Sequence, residues 1–229
     1  NIKGNLYINN HALLNYTPSS SEAHSTIRFN GTKTQYLSGT ENIHLGKNTT
    51  IEIANTQHVY LQNTLHIKGE LSFSNNACLF LNKNNLQVDS VITNANAYQY
   101  IVTNALHSDT SGYVLRPINN ASRFIFPVGS KLNAYTPCVI SNNEGTSGTV
   151  AVKTFDSIYE HGQYGNPIPL DEVVQKTWEI NTTDSIDVTI ELQWNEEDEG
   201  LYLNKNNLSI FNNKGHADNN LWHPIPTSA

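Results

Sequence analysis

The chain is expected to be all-β, a short right-handed parallel β-helix over residues 1–107 followed by an antiparallel, immunoglobulin-like β-sandwich over 108–229, and three observations lead there. First, seven segments between Ile43 and Val88 each set an apolar, an outward and an apolar residue in a row: Ile43-His44-Leu45, Ile51-Glu52-Ile53, Val59-Tyr60-Leu61, Leu65-His66-Ile67, Leu71-Ser72-Phe73, Leu79-Phe80-Leu81 and Leu86-Gln87-Val88. Such alternation buries one face of a strand and wets the other. Second, the central residues return after three segments: His44 to His66, Glu52 to Ser72, Tyr60 to Phe80 and His66 to Gln87 lie 22, 20, 20 and 21 residues apart. A fixed period of this length marks a solenoid. Third, the strands beyond the coil are longer and are divided by Gly, Pro, Asn and Ser clusters, the pattern of a sandwich.

Taken in order, Leu6-Tyr7-Ile8 and Ile27-Arg28-Phe29 alternate in the same way but more loosely, and the polar stretch Asn15 to His24 between them reads as a loop. Three segments per turn place Leu65 on Ile43 and beneath Leu86, and Leu79 on Val59, with about 4.8 Å between neighbouring strands. Asn makes up about one residue in seven and falls between the strands at Asn55, Asn63, Asn75-Asn76 and Asn82 to Asn85. It suits those corners because it tolerates left-handed backbone and bonds its own turn. The coil pattern fades after Val88 to Thr93, and Ser108 to Gly112 reads as a turn-rich junction. Strands are then expected at Tyr113 to Ile118, Arg123 to Val128, Tyr135 to Ser141, Thr149 to Phe155, Val173 to Ile180, Ile186 to Trp194, Asn207 to Phe211 and Leu221 to Ile225. The clearest runs from Asp187 to Trp194, with Val188, Ile190, Leu192 and Trp194 inward and Thr189, Glu191 and Gln193 outward. One decapeptide nearly repeats, at Leu79 to Val88 and at Leu201 to Ile210, and is read as one turn design used twice.

Composition narrows the function. The net charge is −7, with 13 basic against 20 acidic residues, and charged residues are 14% of the chain. Nucleic acid is therefore excluded as a partner, since phosphate binding needs clustered Lys and Arg. No apolar run is long enough to cross a bilayer as a helix. Cys78 and Cys138 each sit in a strand on opposite sides of the expected junction and are expected to be small buried free thiols rather than a disulfide. With no Met and no charged-then-apolar leader, the chain is expected to be a mature or excised segment, continued upstream of Leu6.

From the junction onward the residues take on a family likeness. Gly112-Tyr113-Val114 followed by Arg116-Pro117, then Phe126-Pro127-Val128-Gly129, Tyr135-Thr136-Pro137, and Val174 to Trp178-Glu179-Ile180 resemble a module of large secreted surface proteins of Bacteroidota, over roughly residues 25 to 225. The resemblance implies an extracellular or cell-surface, adhesin-like location and export by type IX secretion. It also implies O-glycosylation at Asp-Ser-aliphatic tripeptides, which occur here at Ser90, Ser157 and Ser185. The sequons Asn30-Gly31-Thr32 and Asn48-Thr49-Thr50 are those that so much Asn and Thr produces by chance.

Candidate chemistry is sparse. The run Glu196-Glu197-Asp198-Glu199 is the densest set of carboxylates, and oxygen-rich loops bind calcium, although the run lacks the alternating ligand spacing of a defined calcium loop. The nine histidines have no zinc spacing, and His44 and His66 are expected to stack on one outward face. Neither a nucleophile elbow nor a phosphate loop is present. Tyr60 and Phe80, one above the other on an outward face, are the leading candidates for gripping sugar rings, because aromatic faces beside amides pack on pyranose rings. The loop from Gly162 to Pro169, with Tyr164 and Asn166, is a second candidate because it is longer than an ordinary hairpin connection. The expectation is a non-enzymatic surface or adhesin-type segment that extends and displays the chain and contacts a surface glycan or another cell-surface protein. The alternative is a carbohydrate-binding module or accessory domain of a polysaccharide-degrading enzyme.

Overall fold

The computed structural model describes residues 1–8, 24–40, 42–103, 112–119, 123–143, 145–162, 164–168, 171–183, 185–214 and 221–225. The expected loop between Asn15 and His24 and the junction at Ser108 to Gly112 lie outside them, apart from His24 and Gly112. The protein is all-β, a parallel solenoid of about four turns followed by antiparallel sheets.

Strand β1 (Leu6–Ile8) precedes four rungs of three strands each. The first rung is β2 (Ser25–Phe29), β3 (Gln35–Gly39) and β4 (Ile43–Leu45), and the second is β5 (Thr49–Ile53), β6 (Val59–Leu61) and β7 (Leu65–Ile67). The third is β8 (Glu70–Phe73), β9 (Leu79–Phe80) and β10 (Leu86–Val88), and the fourth is β11 (Ile92–Thr93), β12 (Ile101–Val102) and β13 (Val114–Ile118). Each rung adds one strand to each of three sheets. The first sheet is β2-β5-β8-β11, the second begins β1-β3-β6-β9-β12, and the third begins β4-β7-β10-β13. All these pairs are parallel, and the register is the one the period predicts: Leu65 pairs with Ile43 and Leu86, Leu79 with Val59, and His66 with His44 and Gln87. Inward residues such as Ile51, Leu65, Leu71 and Leu86 are fully buried in columns along the coil axis.

Amide side chains hold the corners. Among the described residues, five of the seven non-glycine residues with left-handed backbone are asparagines, at Asn75, Asn76, Asn82, Asn94 and Asn133, so turn chemistry accounts for part of the Asn excess. Others tie one rung to the next. Asn55, wholly buried, donates to the Lys33 carbonyl at 2.7 Å and to Gln35 Oε1 at 2.9 Å, while its own Oδ1 accepts from the Gln57 amide. On another corner Asn63 Oδ1 accepts from the Gly39 amide and Asn85 Oδ1 from the Tyr113 amide.

The remaining strands are β14 (Arg123–Phe126), β15 (Val128–Gly129), β16 (Cys138–Asn142), β17 (Gly148–Asp156), β18 (Lys176–Thr182), β19 (Val188–Leu192), β20 (Ile210–Asn213) and β21 (Trp222–Ile225). Sequence patterning places Tyr113 to Ile118 in the antiparallel part, and the structure gives this strand two roles. β13 lies parallel to β10 on one side, through Leu86 and Val114, and antiparallel to β17 on the other, where Val114 faces Val152. The third sheet thus continues without a break as β13-β17-β18, six strands in all, while β15 extends the second sheet. β14-β16-β19 form a separate antiparallel sheet, and β20-β21 form a two-stranded one. Val188, Ile190 and Leu192 pack on the core as their alternation predicts. One apolar cluster runs from Ile8 and Phe29 through the coil to Ile140, Val150 and Val152. Cys78 and Cys138 are buried free thiols, and burial pushes them up to about 11 and about 12 respectively.

The decapeptide repeat does not yield one turn. In the coil Asn82 is left-handed (φ 53°) and the Asn84 amide bonds the Leu81 carbonyl, whereas in the second copy Asn204 is not left-handed and its carbonyl accepts from the Asn207 amide. The reason is packing: Leu79, Leu81, Leu86 and Val88 are sandwiched between rungs, while Leu201, Leu208 and Ile210 are exposed.

Candidate functional site

Register on the second sheet lines up Tyr36, Tyr60 and Phe80 as outward neighbours. Ring centroids are 5.9 Å apart for Tyr36 and Tyr60, tilted by 40°, and 4.4 Å apart for Tyr60 and Phe80, stacked within 13°. The predicted pair is therefore brought together, but not as a platform. Stacked within 13°, Tyr60 and Phe80 cover the faces that they turn toward one another. Phe80 is moreover only 7% exposed, packed with Cys78, Tyr100 and Val102 and overhung by Tyr135. The Tyr100 hydroxyl fastens that cover, donating to the Lys131 carbonyl at 2.6 Å and accepting from the Ala134 amide at 3.0 Å. Burial pushes the Tyr100 phenol up to about 12. On the strands of the second sheet, the exposed rings lie toward the start of the coil, at Tyr36 (36% exposed) and Tyr7 (60%). The sequence pattern missed both. Tyr36 precedes Tyr60 by 24 residues rather than 20 to 22, and Tyr7 pairs with Ser38, out of column with Tyr36.

The second glycan candidate is likewise self-satisfied. Tyr164 is exposed and leans on His161 with centroids 5.2 Å apart. Asn166 spends its donors within the loop, its backbone and side-chain nitrogens both bonding Glu160 Oε2, at 3.2 and 3.3 Å.

The acidic run does not converge on a calcium site. Glu196–Asp198 form one 3-10 turn capped by Asn195, whose backbone and side-chain nitrogens both bond Asp198 Oδ2 at 3.2 Å. Asp198 Oδ1 lies 3.0 Å from Lys176 Nζ, and Glu199 Oε1 binds Lys205 Nζ at 2.8 Å and Trp194 Nε1 at 3.0 Å. Among the described residues no group of three or more His, Cys, Asp or Glu side chains could hold a metal ion. His44 and His66 do meet, ring edge to ring face at 5.5 Å, with His66 Nε2 2.7 Å from Asp89 Oδ2. Asp89 Oδ1 accepts from Gln87 at 2.7 Å.

The three Asp-Ser serines occupy three separate turns. Ser90 is exposed after β10, with its carbonyl taken by Arg116. Ser157 follows β17 with left-handed backbone (φ 77°), and its carbonyl accepts from Thr177 Oγ1 at 2.8 Å. Ser185 is exposed ahead of β19, and its Asp184 lies outside the described residues.

What sequence reading missed is a pair of buried charge clusters on the antiparallel strands. In one, the Lys176 ammonium, 0% exposed, touches Asp156 Oδ1, Asp198 Oδ1 and, at 3.4 Å, Ser130 Oγ. Asp156 also accepts from Ser130 Oγ at 2.6 Å and Lys131 Nζ at 2.7 Å. Burial on its own would raise the Asp156 carboxyl, but these donors outweigh it and hold the group at about 2. In the other, Lys153 pairs with Glu179 at 3.0 Å and lies 4.3 Å from the centre of the Tyr113 ring, whose hydroxyl donates to Glu179. Arg116 takes an inward position on β13, over the Phe124 ring at 4.7 Å, and burial lowers it to about 10. These residues are far apart in sequence and only the tertiary fold collects them. Chemically, Lys176 is held between two carboxylates, Asp156 and Asp198, in an ion-pair arrangement.

Comparison with protein-family models, curated proteins and solved structures finds no match. No helix among the described residues is long and apolar enough to cross a membrane.

Proposed function

We propose that this chain is a stiff, non-enzymatic segment of a secreted or cell-surface protein, one that extends and displays what is joined to it. The observation that carries the reading is the third sheet, hydrogen-bonded without interruption from β4 to β18 over a single apolar core. In a stack of this kind each rung bonds only its neighbours, so stiffness accumulates along the coil. The titratable clusters fit the same role, being consumed as internal ion pairs.

A second reading, contact with a surface glycan, rests on the exposed rings of Tyr36, at the end of the aromatic column, and of Tyr7 beside it on the neighbouring strand. Export by type IX secretion and O-glycosylation at Ser90, Ser157 or Ser185 belong to the proposal only through the family likeness. A glycan array run beside a reducing-sugar release assay separates the readings. The display segment gives neither signal, retention that is lost in Tyr36→Ala makes it a glycan binder, and sugar release makes it an enzyme and refutes the proposal.

A further inference from the structure

We propose that Lys176 and Asp156 condense into an intramolecular amide that staples β18 to β17. The two are directly opposed register partners in the antiparallel pair. The Lys176 ammonium is 0% exposed and hydrogen-bonded to Asp156 Oδ1, with a second carboxylate oxygen, Asp198 Oδ1, at 3.0 Å. Both oxygens of Asp156 carry further donors, Ser130 Oγ on Oδ1 at 2.6 Å and Lys131 Nζ on Oδ2 at 2.7 Å. Nucleophile, electrophile, proton carrier and oxyanion donors are thus assembled at one point.

The step balances without any co-reactant. One proton passes from the ammonium to the Asp156 carboxylate, and the neutral amine attacks Cγ. Ser130 and Lys131 hold the oxygens of the tetrahedral adduct, as preorganised donors do for an oxyanion. Asp198 takes a second proton from nitrogen and delivers it to the departing oxygen. The Cγ–O bond breaks, water leaves, and the amide keeps the third ammonium proton. Fixed proximity is worth effective molarities of about 10⁵–10⁸ M, which lowers the barrier to a condensation that is slow between free groups in water. Because the neutral pair is the minor form, the bond accumulates slowly after folding. The inference goes beyond the display role and does not depend on it.

Intact mass, measured in denaturant after days of incubation of the native protein at neutral pH, tests it. The expected result is a species lighter than the sequence mass by one water, growing with time, and a branched peptide that joins Lys176 to Asp156 in tandem mass spectra. Lys176→Arg keeps the full mass, and Asp198→Asn, checked for native circular dichroism, loses water at least tenfold more slowly. A wild-type chain that holds its full mass throughout identifies an ordinary ion pair and overturns the proposal. A branch at Asp198 or between Lys153 and Glu179 overturns the assignment equally.

Discussion

Asp156 ties acid stability to one carboxyl. Its folded value is about 2 against 3.8 for the free side chain, so between those values the unfolded chain binds the proton first. Its contribution is complete above pH 3.8 and drains away as pH falls toward 2. Melting temperature followed across that window is expected to drop steeply for freshly folded wild type, whose Asp156 carboxyl is still free, and less steeply for Asp156→Asn; equal slopes would show that Asp156 is not responsible. A different constraint acts at Gly69, where an added Cβ would sit 2.1 Å from the Thr49 carbonyl oxygen in the rung below. Gly69→Ala is expected to cost about 1–3 kcal/mol, because a rung cannot shift without moving its neighbours, and urea unfolding would measure it. Legibility at this scale follows the range of the interactions. Local alternation exposes Leu65 or His66 as inward or outward, but Ser130, Lys131, Asp156, Lys176 and Asp198 carry no local pattern, since each meets its partners only through strand pairing and loop return. Arg116 was illegible for a related reason: it stands at an inward position, where a cation contradicts the pattern that identifies the strand.

The rung is the unit of stability in the coil. Leu65 lies fully buried between Ile43 and Leu86, so Leu65→Asp sets a carboxylate among apolar layers with no partner. A loss of more than about 4 kcal/mol is expected, enough to unfold the coil, while His44→Ala on the exposed face of the same sheet stays within about 0.5 kcal/mol. Loss of far-ultraviolet circular dichroism at room temperature in the first variant alone would verify the columns. Equal melting of both would refute them. The rungs from Ile43 to Val88 were readable because short corners fix a nearly constant period. The earlier return from Tyr36 to Tyr60 is longer, so the accessible end of the aromatic column was missed. For β13 the sequence predicts only half of the partners, because alternation specifies which side chains are buried and says nothing about the direction of the neighbouring strand. The decapeptide makes the same point in reverse: similar residues at Leu79 to Val88 and Leu201 to Ile210 take different turns because only one copy has rungs on either side.

Across the whole molecule, one apolar cluster and one unbroken sheet join the coil to the antiparallel strands. Such coupling predicts a single cooperative transition in calorimetry, with calorimetric and van't Hoff enthalpies in agreement, rather than separate melts for the two parts. Truncation after Ile118 removes β17 and exposes the flank of β13, and the remaining residues are expected to associate or unfold in place of forming a stable monomer. Two resolved transitions, or a well-folded fragment, would show that the parts are independent. The change of strand direction at β13 has a further effect. A parallel coil is a template at its ends, since an exposed rung invites an identical rung from another molecule to add in register and seed a fibre. β17 runs backward across that flank, so in the third sheet the pattern an incoming rung would copy is already occupied by a strand of the wrong polarity. The same reversal that anchors the coil therefore stops its third sheet from elongating at that end.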